Sequence, residues 1–210
     1  MSGIFKWAAL YPLIVKRIIL LFVLLLLIGG AEARISGIDS GGNNGCVCHG
    51  GQDDISVSIA GFPERFESNA SYQITITIES DIPEAEGAAS GGFRLIVSDG
   101  NTSIDGGQEL DGGITHTNES NSQRSWNGTW VAPESQDGYA EIILHGNAVN
   151  GDGDYTGDDW RSISVIVPGM DYDGDAVPSD VSGKLTSTEI AIGSLAVILL
   201  AVLAWNSSRD

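Results

Sequence analysis

Tyr72 to Ile78 reads YQITITI, with Ile74, Ile76 and Ile78 alternating with Gln73, Thr75 and Thr77. On an extended chain successive side chains point to opposite faces, so this stretch puts three isoleucines on one side and three polar groups on the other. A helix would scatter the same residues around its axis. The reading is a strand with one face buried and one face wet. The same period of two recurs in ISVSIA (55–60), FRLIV (93–97), WNGTWV (126–131) and SISVIV (162–167). EIILHG (141–146) is more apolar, as expected for a sheet covered on both faces, and ITHT (114–117) is a shorter piece of the same kind. About seven such segments, parted by Gly, Asp and Asn turns and with no amphipathic helical pattern among them, predict an all-β fold. The expected form is an antiparallel, immunoglobulin-like β-sandwich over residues 55–168. Trp126, Trp130 and Tyr139 are its expected core aromatics.

Working outward, the flanks change character. Lys16-Arg17, the apolar run Ile18 to Ile28 and the small-residue exit Ala31-Glu32-Ala33 describe a signal peptide over residues 1–33. A second apolar run, Ile190 to Trp205, sits in the expected transmembrane anchor over 185–206, with a short tail at 207–210. Sixteen residues rising ~1.5 Å each reach only ~24 Å, so Glu189 has to snorkel at the interface for the helix to span. Between the two lie a Gly-rich loop (34–54), the sandwich and an acidic linker (169–184). The expected location is the cell membrane, single-pass, with the ectodomain outside. The chain carries 10 Lys and Arg against 28 Asp and Glu, a net charge of −18. That balance excludes nucleic acid as a partner and disfavours anionic lipid surfaces for the ectodomain. Sequons at Asn69, Asn101, Asn118 and Asn127 are acceptor sites for glycosylation.

Three stretches carry a resemblance: ITHTNES from Ile114, WNGTWVAPE from Trp126 and GNAVNGDGDYTGDDW from Gly146. They look like the exported domain called choice-of-anchor V, itself similar to reeler domains, over roughly Cys46 to Val167. The resemblance implies a β-sandwich with an N-terminal C-x-x-C-H run and a variable C-terminal anchor.

The only two cysteines stand in GCVCHG, residues 45–50. C-x-C-H is one residue shorter than the c-type haem attachment run, and than the run the resemblance implies. The leading expectation is haem c, with thioethers at Cys46 and Cys48 and the iron on His49. The glycines around the run supply unusual backbone angles for so tight a loop. His116 is the favoured second axial ligand because it lies in the ITHT motif; His145 and Met170 are the other candidates. Two further readings stay open. Cys46, Cys48 and His49 suit Zn²⁺ or Cu⁺, with a fourth ligand from elsewhere, or the thiols form a strained, easily reduced disulfide.

The run Asn150 to Asp158 places Asn150, Asp152, Asp154, Thr156 and Asp158 at alternate positions, the pattern of a calcium loop. It is not an EF-hand, because Tyr155 and Arg161 occupy the positions of the obligatory Gly and Glu. No Ser/His/Asp set, phosphate loop or carboxylate pair points to hydrolysis, so no enzyme is expected. The leading function is a membrane-anchored, extracellular monohaem electron-transfer protein with an unknown redox partner. The alternative is a non-catalytic, reeler-like adhesion or ligand-binding ectodomain whose C-x-C-H run is a metal clip or a redox disulfide.

Overall fold

The computed structural model describes residues 36–43, 45, 55–154, 156–181 and 187–208. The expected signal peptide, the cysteines and His49 lie outside these residues. The chain divides into two compact units, and every strand falls in the one that runs from Ala33 to Gly183.

The strands are β1 (Ile55–Ala60), β2 (Ser71–Ser80), β3 (Gly91–Val97), β4 (Asn101–Ile104), β5 (Gly107–Leu110), β6 (Gly113–His116), β7 (Ser125–Val131), β8 (Tyr139–Ala148) and β9 (Asp159–Pro168). They form two antiparallel sheets, ordered β1-β2-β7-β4 and β5-β6-β3-β8-β9, in a sandwich-like arrangement. The alternation in YQITITI does what it predicts. Ile74, Ile76 and Ile78 are buried, while Gln73, Thr75 and Thr77 form the outer face with Asn127 and Thr129 of β7 opposite them. Thr75 donates to Asn127 at 2.9 Å and Gln73 to Thr129 at 3.0 Å.

From the second sheet, Phe93, Leu95, Ala140, Ile142 and Leu144 complete the core. Each fully buried large aliphatic or aromatic side chain contributes about 1.5–3 kcal/mol from removal of apolar surface. Trp126 packs on Phe93 at a centroid distance of 4.9 Å, and Trp130 lies among Phe62, Phe66 and Tyr72 at 5.1, 5.5 and 5.6 Å. Their indole N–H groups are not wasted in the core. Trp126 donates to the Ser120 carbonyl at 3.0 Å and Trp130 to that of Asp99 at 3.1 Å.

Tyr139 corrects an expectation. It is 43% exposed and meets Tyr172 at 5.4 Å, because the β8 register turns Ala140, Ile142 and Leu144 inward and Tyr139 outward. Strands β4 and β5 went unpredicted, since NTSI and GQEL hold one apolar residue each and show no period.

Beyond Pro168 the chain stays on the sandwich at first. Phe66 and Gly169 form a parallel bridge, and Arg65 donates to the carbonyls of Gly169 (2.8 Å) and Tyr172 (2.7 Å). Farther on, the Ser179 amide donates to Glu141 at 2.7 Å. That bond, and then one from the Ser164 hydroxyl, holds the Glu141 carboxyl below its ordinary range.

In the other unit, helix α1 (Ser187–Ser208) is apolar on all sides, with Ile192, Leu195, Ile198 and Val202 more than half exposed. No helix among the described residues is long and apolar enough to cross a membrane.

Candidate functional site

Register places Gln108, Thr115, Arg94, His145 and Ser162 in one row across β5, β6, β3, β8 and β9. In β3 and β8 the alternate residues Phe93, Leu95 and Leu144 belong to the core, so Arg94 and His145 stand on the outer face. An outer row normally meets water. Here Thr115 is 0%, Arg94 1% and His145 1% exposed.

The cover is the segment before the cysteine run, which crosses the strands in order. The Gln108 amide donates to the Ser36 carbonyl, and the Thr115 hydroxyl accepts from the Ile38 amide at 3.1 Å. Arg94 donates to the Ile38 carbonyl (3.0 Å) and the Asn43 side chain (2.7 Å), and on its other side to the carbonyls of Leu110 (2.9 Å) and Asp111 (3.1 Å). A short 3₁₀ turn, Ser40–Gly42, capped by Asp39, shortens the path between them. Two glycines make the fit. A Cβ at Gly37 would lie 2.5 Å from Thr115 Cγ2, and one at Gly45 would lie 2.8 Å from the Trp160 ring. Both have positive φ, at 93° and 97°.

The electrostatics follow from the burial. Desolvation pulls the Arg94 guanidinium below its ordinary value, and the carboxylates of Asp111 and Asp39 oppose that pull. Desolvation also pushes the His145 imidazole down to about 4; the Asn43 backbone opposes the shift, and Arg94 adds to it. His145 is therefore neutral at physiological pH. Its Nδ1 is 2.6 Å from the Ser162 hydroxyl, while its buried Nε2 has no hydrogen-bond partner.

Cys46, Cys48 and His49 lie outside the described residues, but both flanks are fixed at β9. Gly45 rests on Trp160, and the Ile55 carbonyl accepts from Arg161 at 3.1 Å. His116, the favoured axial ligand, is 7% exposed, and its Nδ1 accepts from the Phe93 amide at 3.1 Å. In the neutral ring this leaves the proton on Nε2, so neither nitrogen offers a free lone pair. Gly92 makes room for the ring, since a Cβ there would lie 2.5 Å from His116 Cε1. Met170, the third candidate, is half exposed beside Phe66, whose carbonyl accepts from its amide. A macrocycle needs an open face on its axial ligand, and neither buried histidine has one. The described residues fit a compact ion better than haem.

The acidic loop is a chain of side-chain-to-backbone turns. Asn150 Oδ1 accepts from the Asp152 amide (3.0 Å), Asp152 Oδ1 from that of Asp154 (2.8 Å) and Asp154 Oδ1 from that of Thr156 (2.8 Å). Asp158 closes the loop by accepting from the Asn150 amide at 3.1 Å. Among the described residues no three His, Cys, Asp or Glu side chains are placed together to hold a metal. The sequence reading also overlooked Arg124, a buried residue that donates to the carbonyls of Ser90 (2.8 Å), Ser80 and Val149 and so ties three chain segments together.

No family model matches the chain, and no curated protein does. Among solved structures, the human F-spondin reeler domain is 18% identical over 60% of this chain and 98% of its own, with a TM-score of 0.36. In fold, the chain is similar to reeler domains. AggA, the major subunit of aggregative adherence fimbriae type I from Escherichia coli, is 16% identical over 57% and 96% of the two chains, with a TM-score of 0.35. A conjugate transposon protein from Bacteroides vulgatus is 10% identical over 59% and 93%, with a TM-score of 0.36. These likenesses say nothing of activity, and the sandwich itself stands on the strand pairing.

Proposed function

We propose that the chain is a non-catalytic, reeler-like ectodomain held outside the cytoplasm by α1, and that its C-x-C-H run is a clip for a compact metal ion. One observation carries this reading: the segment leading into Cys46 is fastened across a buried polar row of the outer sheet face. A mobile electron carrier has no need of such a footing, whereas a clip that must hold a fixed geometry does. Thiolates at Cys46 and Cys48 with the imidazole of His49 are a donor set for Zn²⁺ or Cu⁺. Bound there, the ion would tie the segment before β1 to the sandwich and add its binding energy to folding. The acidic exterior suits a salty medium and partners of cationic or neutral character.

The test is the intact mass, visible spectrum and elemental content of the chain purified from a host able to mature c-type cytochromes. The proposal expects one equivalent of zinc or copper and no Soret band. One haem added covalently to the polypeptide would restore the electron-transfer reading. Two oxidised sulfurs without metal would make the run a redox disulfide.

A further inference from the structure

We propose that His145 Nε2 is a fourth protein ligand to the cation held by the Cys46, Cys48 and His49 run, so that the centre is a Cys₂His₂ site. The proposal rests on the preceding reading that the run holds a cation, and it adds a residue nearly a hundred positions away. Three donors on four consecutive residues leave a tetrahedral ion one ligand short. The missing donor has to be a buried, neutral side chain with a free lone pair, close to where the run leaves the sheet.

His145 meets those requirements. It is 1% exposed, and its Nε2 is one of two buried side-chain polar atoms among the described residues with no hydrogen-bond partner. Leaving such an atom unsatisfied costs about 1–3 kcal/mol, so a buried orphan calls for an explanation. Arg94, its direct neighbour in the register, does not supply one. Its hydrogen bonds go to Asn43, Ile38, Leu110 and Asp111.

The other ring nitrogen is arranged as metal sites arrange it. A ligating imidazole donates its remaining N–H to an oxygen, which fixes the tautomer and the ring plane. Nδ1 of His145 has the Ser162 hydroxyl at 2.6 Å for that purpose. With the proton on Nδ1, Nε2 presents its lone pair.

Position agrees as well. Ser162 is the residue opposite His145 on β9. A Cβ at Gly45 would lie 3.7 Å from the Ser162 hydroxyl oxygen. Cys46 is covalently the next residue, with its Cα about 3.8 Å from that of Gly45. His116 has no comparable claim, because its Nδ1 is taken by the Phe93 amide.

The experiment uses the full-length chain in detergent, reduced and stripped of metal, then titrated with Co²⁺ and displaced by Zn²⁺. The parent should show the intense bands of four-coordinate cobalt with thiolate charge transfer. His145→Gln should bind with altered bands, as water replaces the imidazole, and with at least tenfold weaker Zn²⁺ affinity. Ser162→Ala should lose roughly tenfold by freeing the ring, the scale found for outer partners of ligating histidines. Cys46→Ser with Cys48→Ser should bind nothing.

If the parent takes up neither ion, the clip reading fails and this inference with it. If the parent binds, and His145→Gln keeps the same bands and affinity, only this inference is overturned. Tryptophan fluorescence reports whether His145→Gln has folded. Should it not fold, ¹⁵N shifts of His145 in the Zn²⁺-loaded parent decide. Protonated Nδ1 with bare Nε2 supports ligation, and protonated Nε2 overturns it.

Discussion

Replacing Arg94 with Met keeps the length of the stem and removes the fork that fastens the N-terminal segment to the sheet. Arg94 makes four hydrogen bonds, to Asn43 Oδ1 and to the carbonyls of Ile38, Leu110 and Asp111, at 2.7, 3.0, 2.9 and 3.1 Å. At about 1 kcal/mol net for each, their loss totals about 4 kcal/mol. Against this, the substitution relieves the desolvation that burial imposes on the guanidinium, so the net destabilisation should be about 2–3 kcal/mol. Arg94→Lys should fall in between, since one ammonium cannot reach acceptors on both sides of the strand.

The assay has two arms. Guanidinium unfolding followed by the fluorescence of Trp126 and Trp130 reads the core. Amide exchange at Ile38, bonded to the Thr115 hydroxyl, and at Gly45, bonded to the Gly42 carbonyl, reads the fastened segment. Exchange at both amides should accelerate in Arg94→Met even where the core remains folded. A variant within 0.5 kcal/mol of the parent, with unchanged exchange at both positions, would refute the fastening argument.

Other consequences are open to simpler measurements. In metal-stripped protein, His145 titrates at about 4 when folded against an ordinary 6.5. Its contribution is therefore complete above pH 6.5 and is lost as pH falls toward 4, by roughly 3 kcal/mol in all. Unfolding free energies of the parent and His145→Gln, measured across that window, should show a shallower slope in the variant. Asp152→Asn with Asp154→Asn keeps the Oδ1 acceptors of both turns and so should move Tm by no more than a degree or two, whereas the double alanine change should lower stability by about 1 kcal/mol. The same Asn pair tests the calcium expectation, since a Ca²⁺-induced rise in Tm specific to the loop should vanish in it, and an equal rise would reduce to charge screening. Gly45→Ala should disturb the approach to Cys46, through both its φ of 97° and the Trp160 ring, and should quench or shift Trp160 fluorescence without unfolding the core.

The sandwich was legible because burial on one face of a sheet writes itself into sequence with a period of two. Ile74, Ile76 and Ile78 announce β2 without help from any other residue. Where that alternation fades, so does the reading: β4 and β5 are short, polar edge pieces around the Asp105-Gly106 turn, and their pairing is decided by neighbours. The candidate site lay deeper. Arg94 and His145 occupy outward positions, where a polar residue usually means solvent, and only the cover from 36–45 makes them buried. That cover reads as a Gly-rich loop because its contacts are single hydrogen bonds to distant strands and leave no periodic trace. A faint signal was present all the same. An Arg and a His at outward strand positions, in a chain with 10 basic residues, were the features to question. His116 drew attention through its motif, yet its ring takes a backbone amide of β3 in place of a ladder bond.

X-ray absorption at the edge of whichever metal accompanies the purified full-length chain tests the central claim most directly. The account predicts one zinc or copper ion with two sulfur neighbours at about 2.3 Å and two nitrogen neighbours at about 2.0 Å. Iron in a haem environment, or cysteines joined as a disulfide with no metal bound, would contradict it.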